Sequence, residues 1–426
     1  MNLPLSRVIL VESDRQAFTV LRGKTIVLGV TGGIAAYKAV ELLRLMMKRD
    51  ADVQVVMTKN ATEFVAPLTF QSLSGHPVIH QLFELQWESE IGHIALADSA
   101  DAMVIAPATA NIIGKIASGI ADDFLSTLVT ALKAPLVLAP SMNTRMWENP
   151  ITQQNLKKLE THGYALVEPG YGDLACGARG QGRMADVEEI VEKIEDTLSE
   201  KDLKGHRILI TAGPTVEGVD PVRYITNRSS GKMGYALARM ARRRGADVVL
   251  VSGPSLLPPP RRDILFTPVR SATDMRDAVF DHYKNCSAII MAAAVADFRP
   301  KEVFVQKIKK GAKETYLMEL EKTPDILKEL GDLKGDRVLV GFAAETQDLI
   351  QNAEKKIRAK NADLIVANDV SQPGAGFEVD TNIVTILNRE GRSRTLPIMT
   401  KDEVANIILN QVARIMRKRG RVVDPT

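Results

Sequence analysis

A chain of 426 residues exceeds one ordinary domain and suggests two of about 200 residues each. Its 45% apolar and 25% charged residues are those of a folded globular protein, and a net charge of only +3, from 55 basic and 52 acidic residues, excludes a bulk electrostatic nucleic-acid binder. Two cysteines in unlike contexts exclude a disulfide framework and point to a reducing, cytoplasmic setting, while the longest apolar run, Ala288 to Ala296, falls far short of the ~18 residues of a membrane helix.

Residues 1–22 carry one short apolar patch at Val8, Ile9 and Leu10 beside Glu12 and Asp14. They lack the long apolar core of a secretory signal and read as an N-terminal extension. Residues 24–30 form an apolar run ending at Thr31-Gly32-Gly33, followed by a helical pattern from Ile34 to Lys48 and a second run from Val53 to Met57. Strand, glycine turn, helix, strand is the βαβ unit of a doubly wound sheet. The runs at Ala102–Ala106 and Pro135–Ala139 read as further buried strands, and Val187–Leu198 as a charged amphipathic helix.

The same grammar restarts after a polar linker at 199–205. Arg207–Thr211 reads as a strand, Met233–Arg244 as a helix and Asp247–Val251 as the next strand, with Pro258-Pro259-Pro260-Arg261-Arg262 as a loop. The fold class is therefore α/β, with two doubly wound Rossmann-like domains spanning 23–198 and 206–426.

Strand C-termini in such sheets line the ligand crevice. In the first half those positions hold Thr31-Gly32-Gly33, Met57-Thr58, Pro107-Ala108-Thr109-Ala110-Asn111 and Pro140-Ser141-Met142-Asn143. Glycines at a helix start permit close approach of a phosphate to backbone N–H groups. The turn is not GxGxxG and lacks an acidic ribose reader, which favours a mononucleotide over a dinucleotide. Thr and Asn among small residues suit the donors and acceptors of a flavin ring.

Three segments carry a resemblance: Gly92-His93-Ile94, Pro107 to Asn111, and the Pro-x-Met-Asn-x-x-Met-Trp pattern at 140–147. They resemble the flavin-containing cysteine decarboxylases, and Leu174 to Met184 resembles the substrate clamp of the phosphopantothenoylcysteine decarboxylase branch. Ser141 departs from the more usual alanine. The resemblance, over residues 24–190, implies a flavodoxin-like domain that binds FMN through Thr31, Gly32, Gly33, Thr58, Ala108, Thr109, Asn111 and Met142. It implies Cys176 as proton donor, His93 as active-site base and Asn143 on the substrate carboxylate. A cysteinyl carboxylate has no electron sink for leaving as CO₂; in the mechanism the resemblance implies, oxidation of the thiol to a thioaldehyde supplies one, and a thiol with reference pKa near ~8.5 can return the final proton. From its apolar setting alone His93 reads as a core or helix-start histidine. Cys286 enters a buried strand and reads as structural.

In the second half, Asp220 to Gly234 is dense in phosphate-friendly residues, with Ser229-Ser230-Gly231 ahead of a helix. It is not a Walker A loop, because Thr226 and Met233 stand where Gly and Ser/Thr are required. Met291 to Pro300, Lys307-Ile308-Lys309-Lys310, Thr323-Pro324-Asp325-Ile326, Gly341 to Thr346, Lys356 with Lys360, and Asn368-Asp369 complete the set. From about 206 to 415 it resembles bacterial CTP-using phosphopantothenate–cysteine ligases. That implies CTP binding by Met291, Ala292, Ala293, Asp297, Lys307, Thr323, Pro324, Asp325, Ile326, Phe342, Lys356 and Lys360, with Arg223 and Asn227 serving the acyl intermediate. No compact carboxylate cluster announces a metal cage, so Mg²⁺ is expected mainly on CTP phosphates.

Together the two resemblances imply that 4′-phosphopantothenate is joined to cysteine through an acyl-cytidylate and the product decarboxylated to 4′-phosphopantetheine. They imply a homo-oligomer, a dodecamer built of decarboxylase trimers and ligase dimers, with small-molecule partners only. Two other readings are a regulatory binding protein on the flavin fold and an NAD-dependent oxidoreductase. Retention of His93, Asn143 and Cys176 and the attached ligase speak against the first; a bound yellow flavin would exclude the second.

Overall fold

The computed structural model describes residues 20–81, 92–173, 177, 179–309, 316–345, 349–369, 376 and 379–420. The chain forms two compact units that part between Ser199 and Glu200.

The first unit runs β1 (Thr25–Val30), α1 (Ala36–Lys48), β2 (Asp52–Met57), α2 (Pro67–Ser74), α3 (His93–Ser99), β3 (Ala102–Ala108), α4 (Ala110–Ser118), α5 (Phe124–Ala131), β4 (Leu136–Pro140), α6 (Thr144–Trp147), α7 (Pro150–Thr161), β5 (Ala165–Leu166), β6 (Gly170–Asp173), β7 (Arg179–Arg183) and α8 (Val187–Leu198). Five parallel strands in the order β2-β1-β3-β4-β5 make its sheet, the flavodoxin-like order. A parallel sheet is covered on both faces, so its strands are apolar throughout; every residue of β3 is buried. Alternate side chains of β1 feed two cores. Ile26, Leu28 and Val30 pack with α1 and α8, whereas Val27 packs with α4, α5 and α7. Leu21, within the expected extension, is fully buried in the first of these cores. Helix α1 begins at Ala36 rather than Ile34, because the Ala36 N–H closes a short turn onto the Gly33 carbonyl (2.9 Å). Strand β7 lies within the Leu174 to Met184 segment, and its antiparallel pairing with β6 goes beyond the strands read from the sequence.

The second unit contains β8 (Arg207–Ala212), β9 (Val216–Gly218), β10 (Tyr224–Thr226), α9 (Lys232–Arg243), β11 (Asp247–Ser252), β12 (Leu265–Pro268), α10 (Ala272–His282), β13 (Ala288–Met291), β14 (Phe298–Pro300), β15 (Leu320–Lys322), α11 (Ile326–Leu333), β16 (Val338–Glu345), α12 (Leu349–Ala359), β17 (Leu364–Asp369), β18 (Thr381–Asn382), β19 (Val384–Asn388), β20 (Ser393–Thr395), β21 (Met399–Thr400) and α13 (Lys401–Lys418). Its main sheet has the order β12-β11-β8-β13-β16-β17-β19-β20. The first six strands are parallel and follow the Rossmann order 3-2-1-4-5-6; β19 and β20 add antiparallel to the edge. Helices α9 and α13 cover one face. Helices α10 and α11, and beside them α12, cover the other. Helix α12 carries Lys356 and ends at Ala359, so Lys360 lies one residue past it.

Among the described residues no helix is long and apolar enough to cross a membrane. Cys286 is buried beneath α10, its thiol donating to the His282 carbonyl (3.3 Å), and desolvation pushes its pKa up to about 11, which fits an inert packing thiol.

Candidate active sites

In each sheet one central strand sends the chain to one face and its neighbour sends it to the other, opening a crevice at the strand ends. In the first unit these strands are β1, followed by α1, and β3, followed by α4. Thr31 ties the two ends together. It is 2% exposed; its Oγ1 donates to the Pro107 carbonyl (2.6 Å) and accepts from the Thr109 N–H (3.2 Å). Thr109 in turn caps α4 at Ile112 (3.5 Å). Gly32 has no room for a side chain, since a Cβ there would sit 2.5 Å from Asn60 Cβ and 2.8 Å from its carbonyl carbon. No side chain caps α1; its Ala36 and Lys38 N–H groups turn back onto the Gly33 and Ala35 carbonyls (2.9 and 3.0 Å), so what the helix start offers an anion is chiefly the positive end of its dipole.

A cavity of about 630 Å³ opens at this point. Gly32, Gly33, Thr109, Met142 and Asn143 line it, as do Tyr37, Lys38, Ser141, Asp173, Arg183 and Met184. Hairpin β6–β7 is fitted closely to it: the Met142 N–H donates to the Gly182 carbonyl (2.9 Å), and Gly182, at φ 138°, would place a Cβ 2.3 Å from the Met142 carbonyl oxygen. Asn143 caps α6 by accepting from the Arg145 N–H (2.9 Å).

The second cavity, about 670 Å³, lies at the corresponding place between β8 and β13. The backbone after β13 is pinned from several sides. Ala293 N–H donates to Thr211 Oγ1 (3.1 Å), Ala294 N–H to the Gly213 carbonyl (2.9 Å) and Ala296 N–H to Thr215 Oγ1 (3.0 Å). Thr323 Oγ1 donates to the Ala296 carbonyl (2.5 Å), and Asn227 Nδ2 donates to the carbonyls of Val295 (2.9 Å) and Ala294 (3.3 Å). Gly231 starts α9 at φ 80°, and Gly234 lets that helix lie directly on β8. Across the cavity Asp325 caps α11 at Lys328 (3.1 Å) and pairs with Lys360, while the Lys356 ammonium donates to the Phe342 carbonyl (3.1 Å). Among the described residues no three His, Cys, Asp or Glu side chains are grouped to hold a metal.

Comparison with known proteins bears on both halves. A flavoprotein family model matches residues 15–199, and a model described as the DNA/pantothenate metabolism flavoprotein C-terminal domain matches residues 203–416. The chain is 50% identical over 403 residues to the coenzyme A biosynthesis bifunctional protein of Bacillus subtilis (strain 168), covering 94% of this chain and 99% of that one. The chain belongs to the coenzyme A biosynthesis bifunctional protein family. The Vibrio cholerae member is 47% identical over 394 residues, covering 92% of this chain and 98% of that one. A crystal structure of the C-terminal domain of a family member is 47% identical, covers 51% of this chain and all of that one, and gives a TM-score of 0.44. As a member of this family the protein is a bifunctional enzyme with a flavoprotein decarboxylase domain followed by a ligase domain, which sets it apart from the regulatory reading.

Within this family member some of the expected residues line the two cavities and others lie elsewhere. Gly32, Gly33, Thr109, Met142 and Asn143 line the first cavity; Asn227, Met291, Ala292, Ala293, Asp297, Thr323 to Ile326, Phe342, Lys356 and Lys360 line the second. Thr31 is buried behind the first cavity, Ala108 is buried within β3, Thr58 is half-buried and Asn111 is exposed; none of these four lines it. His93 opens α3 with its ring edge-on to Phe124 (centroids 6.5 Å apart) and also lies outside the lining. Cys176 falls outside the described residues.

Arg223 and Lys307 are placed together, but not on the second cavity. Asp220 accepts from the N–H groups of Val222 (2.8 Å), Arg223 (2.9 Å) and Ile308 (3.1 Å), and Arg223 donates to the Ile308 carbonyl (2.6 Å). The segment carrying Lys307 is thereby held beside β9–β10, with Lys307 exposed. Desolvation pushes the Asp220 carboxyl up, but these N–H donors and the Arg223 guanidinium outweigh it and bring it down to about 2. Lys38, Asn382 and Lys401 line the cavities without standing in any segment singled out for function, while Arg183 and Lys232 line them from within the Leu174 to Met184 and Asp220 to Gly234 segments, though neither was named individually. Lys38 and Lys232 stood in plain view, each a basic residue in the first turn after a glycine turn.

Proposed function

We propose that the second unit joins cysteine to 4′-phosphopantothenate at the expense of CTP, and that the first decarboxylates the product to 4′-phosphopantetheine with FMN. The observation that carries this is the coincidence, in each unit, of a crevice at the strand ends with the loop residues singled out for that chemistry. Gly32, Gly33 and the start of α1 suit a flavin phosphate, with Thr109, Met142 and Asn143 around the ring. FMN held there would supply a two-electron acceptor able to return the pair. Asn143 holds the substrate carboxylate, His93 moves the proton of the thiol side, and Cys176 returns a proton to carbon.

In the ligase, a carboxylate resists amine attack because it is negative and has no good leaving group. Its oxygen bonds to the α-phosphorus of CTP as the bond to the β-phosphate oxygen breaks, and pyrophosphate leaves with the electron pair. The cysteine amine then displaces CMP from the acyl carbon and loses a proton. Asp297, Phe342, Lys356 and Lys360 hold the nucleotide, with Mg²⁺ carried mainly by its phosphates. Asn227 serves the tetrahedral oxyanion of the second step, and Arg223 and Lys307 reach the ligands from the Asp220 cluster. Each cavity is lined by residues of a single unit, and we place the assembled protein in the cytoplasm as a homo-oligomer of decarboxylase trimers and ligase dimers.

Incubation of the purified yellow protein with 4′-phosphopantothenate, cysteine and CTP, followed by mass spectrometry, should give 4′-phosphopantetheine, CO₂, CMP and pyrophosphate. Turnover with ATP but not CTP would overturn the nucleotide assignment, and accumulation of undecarboxylated product by flavin-loaded enzyme would overturn the decarboxylase assignment.

A further inference from the structure

The ligase cavity contains a buried cation that the roles above leave unused. Lys401 is the first residue of α13, is 6% exposed, and lines the cavity together with Lys232, the first residue of α9. Its ammonium donates to the backbone carbonyls of Val379 and Gly376 (the latter 3.4 Å), and its own N–H to the Asp380 carbonyl (3.0 Å). Among the described residues no carboxylate lies within ion-pair distance of that ammonium. The Asp380 side chain is turned to Lys232 instead (2.7 Å). The neighbouring acid on α13, Glu403, accepts from the N–H and hydroxyl of Thr400.

This arrangement is electrostatically unfavourable on its own. A buried ammonium without a counter-charge is costly. It also sits at a helix N-terminus, where the backbone dipole repels cations, and Lys232 does the same at the head of the adjacent helix on the same face of the sheet. Desolvation first, then the repulsion of Lys232, depress the Lys401 pKa to about 8, with Asp380 opposing. The cavity lining as a whole carries six cations, Arg228, Lys232, Lys322, Lys356, Lys360 and Lys401, against Asp297 and Asp325, an excess of four positive charges suited to a polyphosphate. Lys360 is matched by Asp325 on the opposite face of the sheet, whereas among the described residues Lys401 has no such match.

We propose that Lys401 is a phosphate-binding residue of the ligase which, with Lys232, holds the two outer phosphates of the nucleotide and meets the charge they gain as they leave as pyrophosphate. The inference rests on the reading of this cavity as the CTP site. It assigns a role in discriminating triphosphate from monophosphate that none of the residues expected from the sequence carries alone. When the bond between the α-phosphorus and its bridging oxygen breaks, the electron pair goes to that oxygen, and the two cations lining the cavity would offset the charge it gains.

The test is titration calorimetry of the full-length protein with CTP and with CMP. Lys401→Met should lose about 10- to 100-fold in CTP affinity, the worth of one hydrogen bond to a charged group, and leave CMP affinity within about twofold. Retained CMP binding also reports that the cavity is intact. A second measurement needs no variant: in the wild-type protein the CTP-to-CMP affinity ratio should fall as pH rises from about 7.5 to about 9.5, as Lys401 loses its proton. A wild-type preference for CTP that survives in Lys401→Met, equal losses for CTP and CMP, or a ratio indifferent to pH would each overturn the inference. Wild-type protein that binds CTP no better than CMP would overturn the nucleotide reading itself, and the inference with it.

Discussion

Changing Asn227 to Asp should separate the two halves of the ligase reaction. The Asn227 amide donates to the Val295 carbonyl at 2.9 Å and the Ala294 carbonyl at 3.3 Å, and so braces the start of the Ser229–Gly231 turn against the loop after β13. The residue is exposed, so each bond is worth toward the low end of the usual range, about 0.5 kcal/mol, and losing both should slow formation of the acyl-cytidylate by about fivefold. The longer contact is the weaker, and its hydrogen is the one a developing oxyanion can draw away. Removing an oxyanion donor costs about 10²- to 10³-fold, and a carboxylate in its place adds repulsion. The second step should therefore suffer far more than the first. Enzyme incubated with 4′-phosphopantothenate and CTP should release a burst of pyrophosphate and accumulate acyl-cytidylate, which quenched-flow mass spectrometry would detect, and added cysteine should clear it slowly. Equal slowing of both steps, with no intermediate, would show that Asn227 acts only as a brace.

Three further outcomes are expected. His93→Asn should keep the protein folded and yellow while decarboxylation falls by at least ~100-fold, measured as CO₂ release; loss of flavin or unfolding would make His93 a packing residue against Phe124. Gly234→Ala would bring a Cβ to 2.5 Å from Ala212 Cβ and 2.8 Å from the Thr211 carbonyl oxygen. Overpacking of about 1–3 kcal/mol, at roughly 2–4 °C per kcal/mol, should lower the melting transition of that unit by several degrees, and an unchanged transition in scanning calorimetry would show that α9 slides freely. The Asp220 carboxyl has a folded pKa depressed to about 2, so its stabilising effect is fully present above its unfolded value near ~3.9 and lost as pH falls through about 2. Asp220→Asn should therefore show a stability deficit in denaturant titrations that is constant from about pH 8 to about pH 5 and shrinks below about pH 4; a deficit that persists undiminished at about pH 2 would contradict this.

The β-strand runs and the first βαβ unit could be read directly from the sequence because buried parallel strands must be apolar on both faces, and β1, β3, β8 and β13 carry almost nothing else. Gly32 was legible as a turn glycine, but for phosphate approach; its close packing against Asn60, which leaves no room for a Cβ, is visible only in the fold. Lys401 was not legible. It joins Lys232 only because α13, at the far end of the chain, returns to pack beside α9, and no local pattern records that return. Arg223 and Lys307 show the opposite limit. Their types and flanking motifs suit phosphate chemistry, yet Asp220 gathers them into a cluster outside the cavity lining, through backbone N–H groups that a sequence does not display.

Both crevices arise from where the chain crosses from one side of a sheet to the other, and their lining belongs mostly to short turns. The strand interiors set how much folded protein a cell accumulates, and the turns set what that protein can do. A screen of variants scored by abundance or solubility would thus report faithfully on Val104 or Ile290 and pass over Asn143 or Lys401, so the two kinds of position call for different assays.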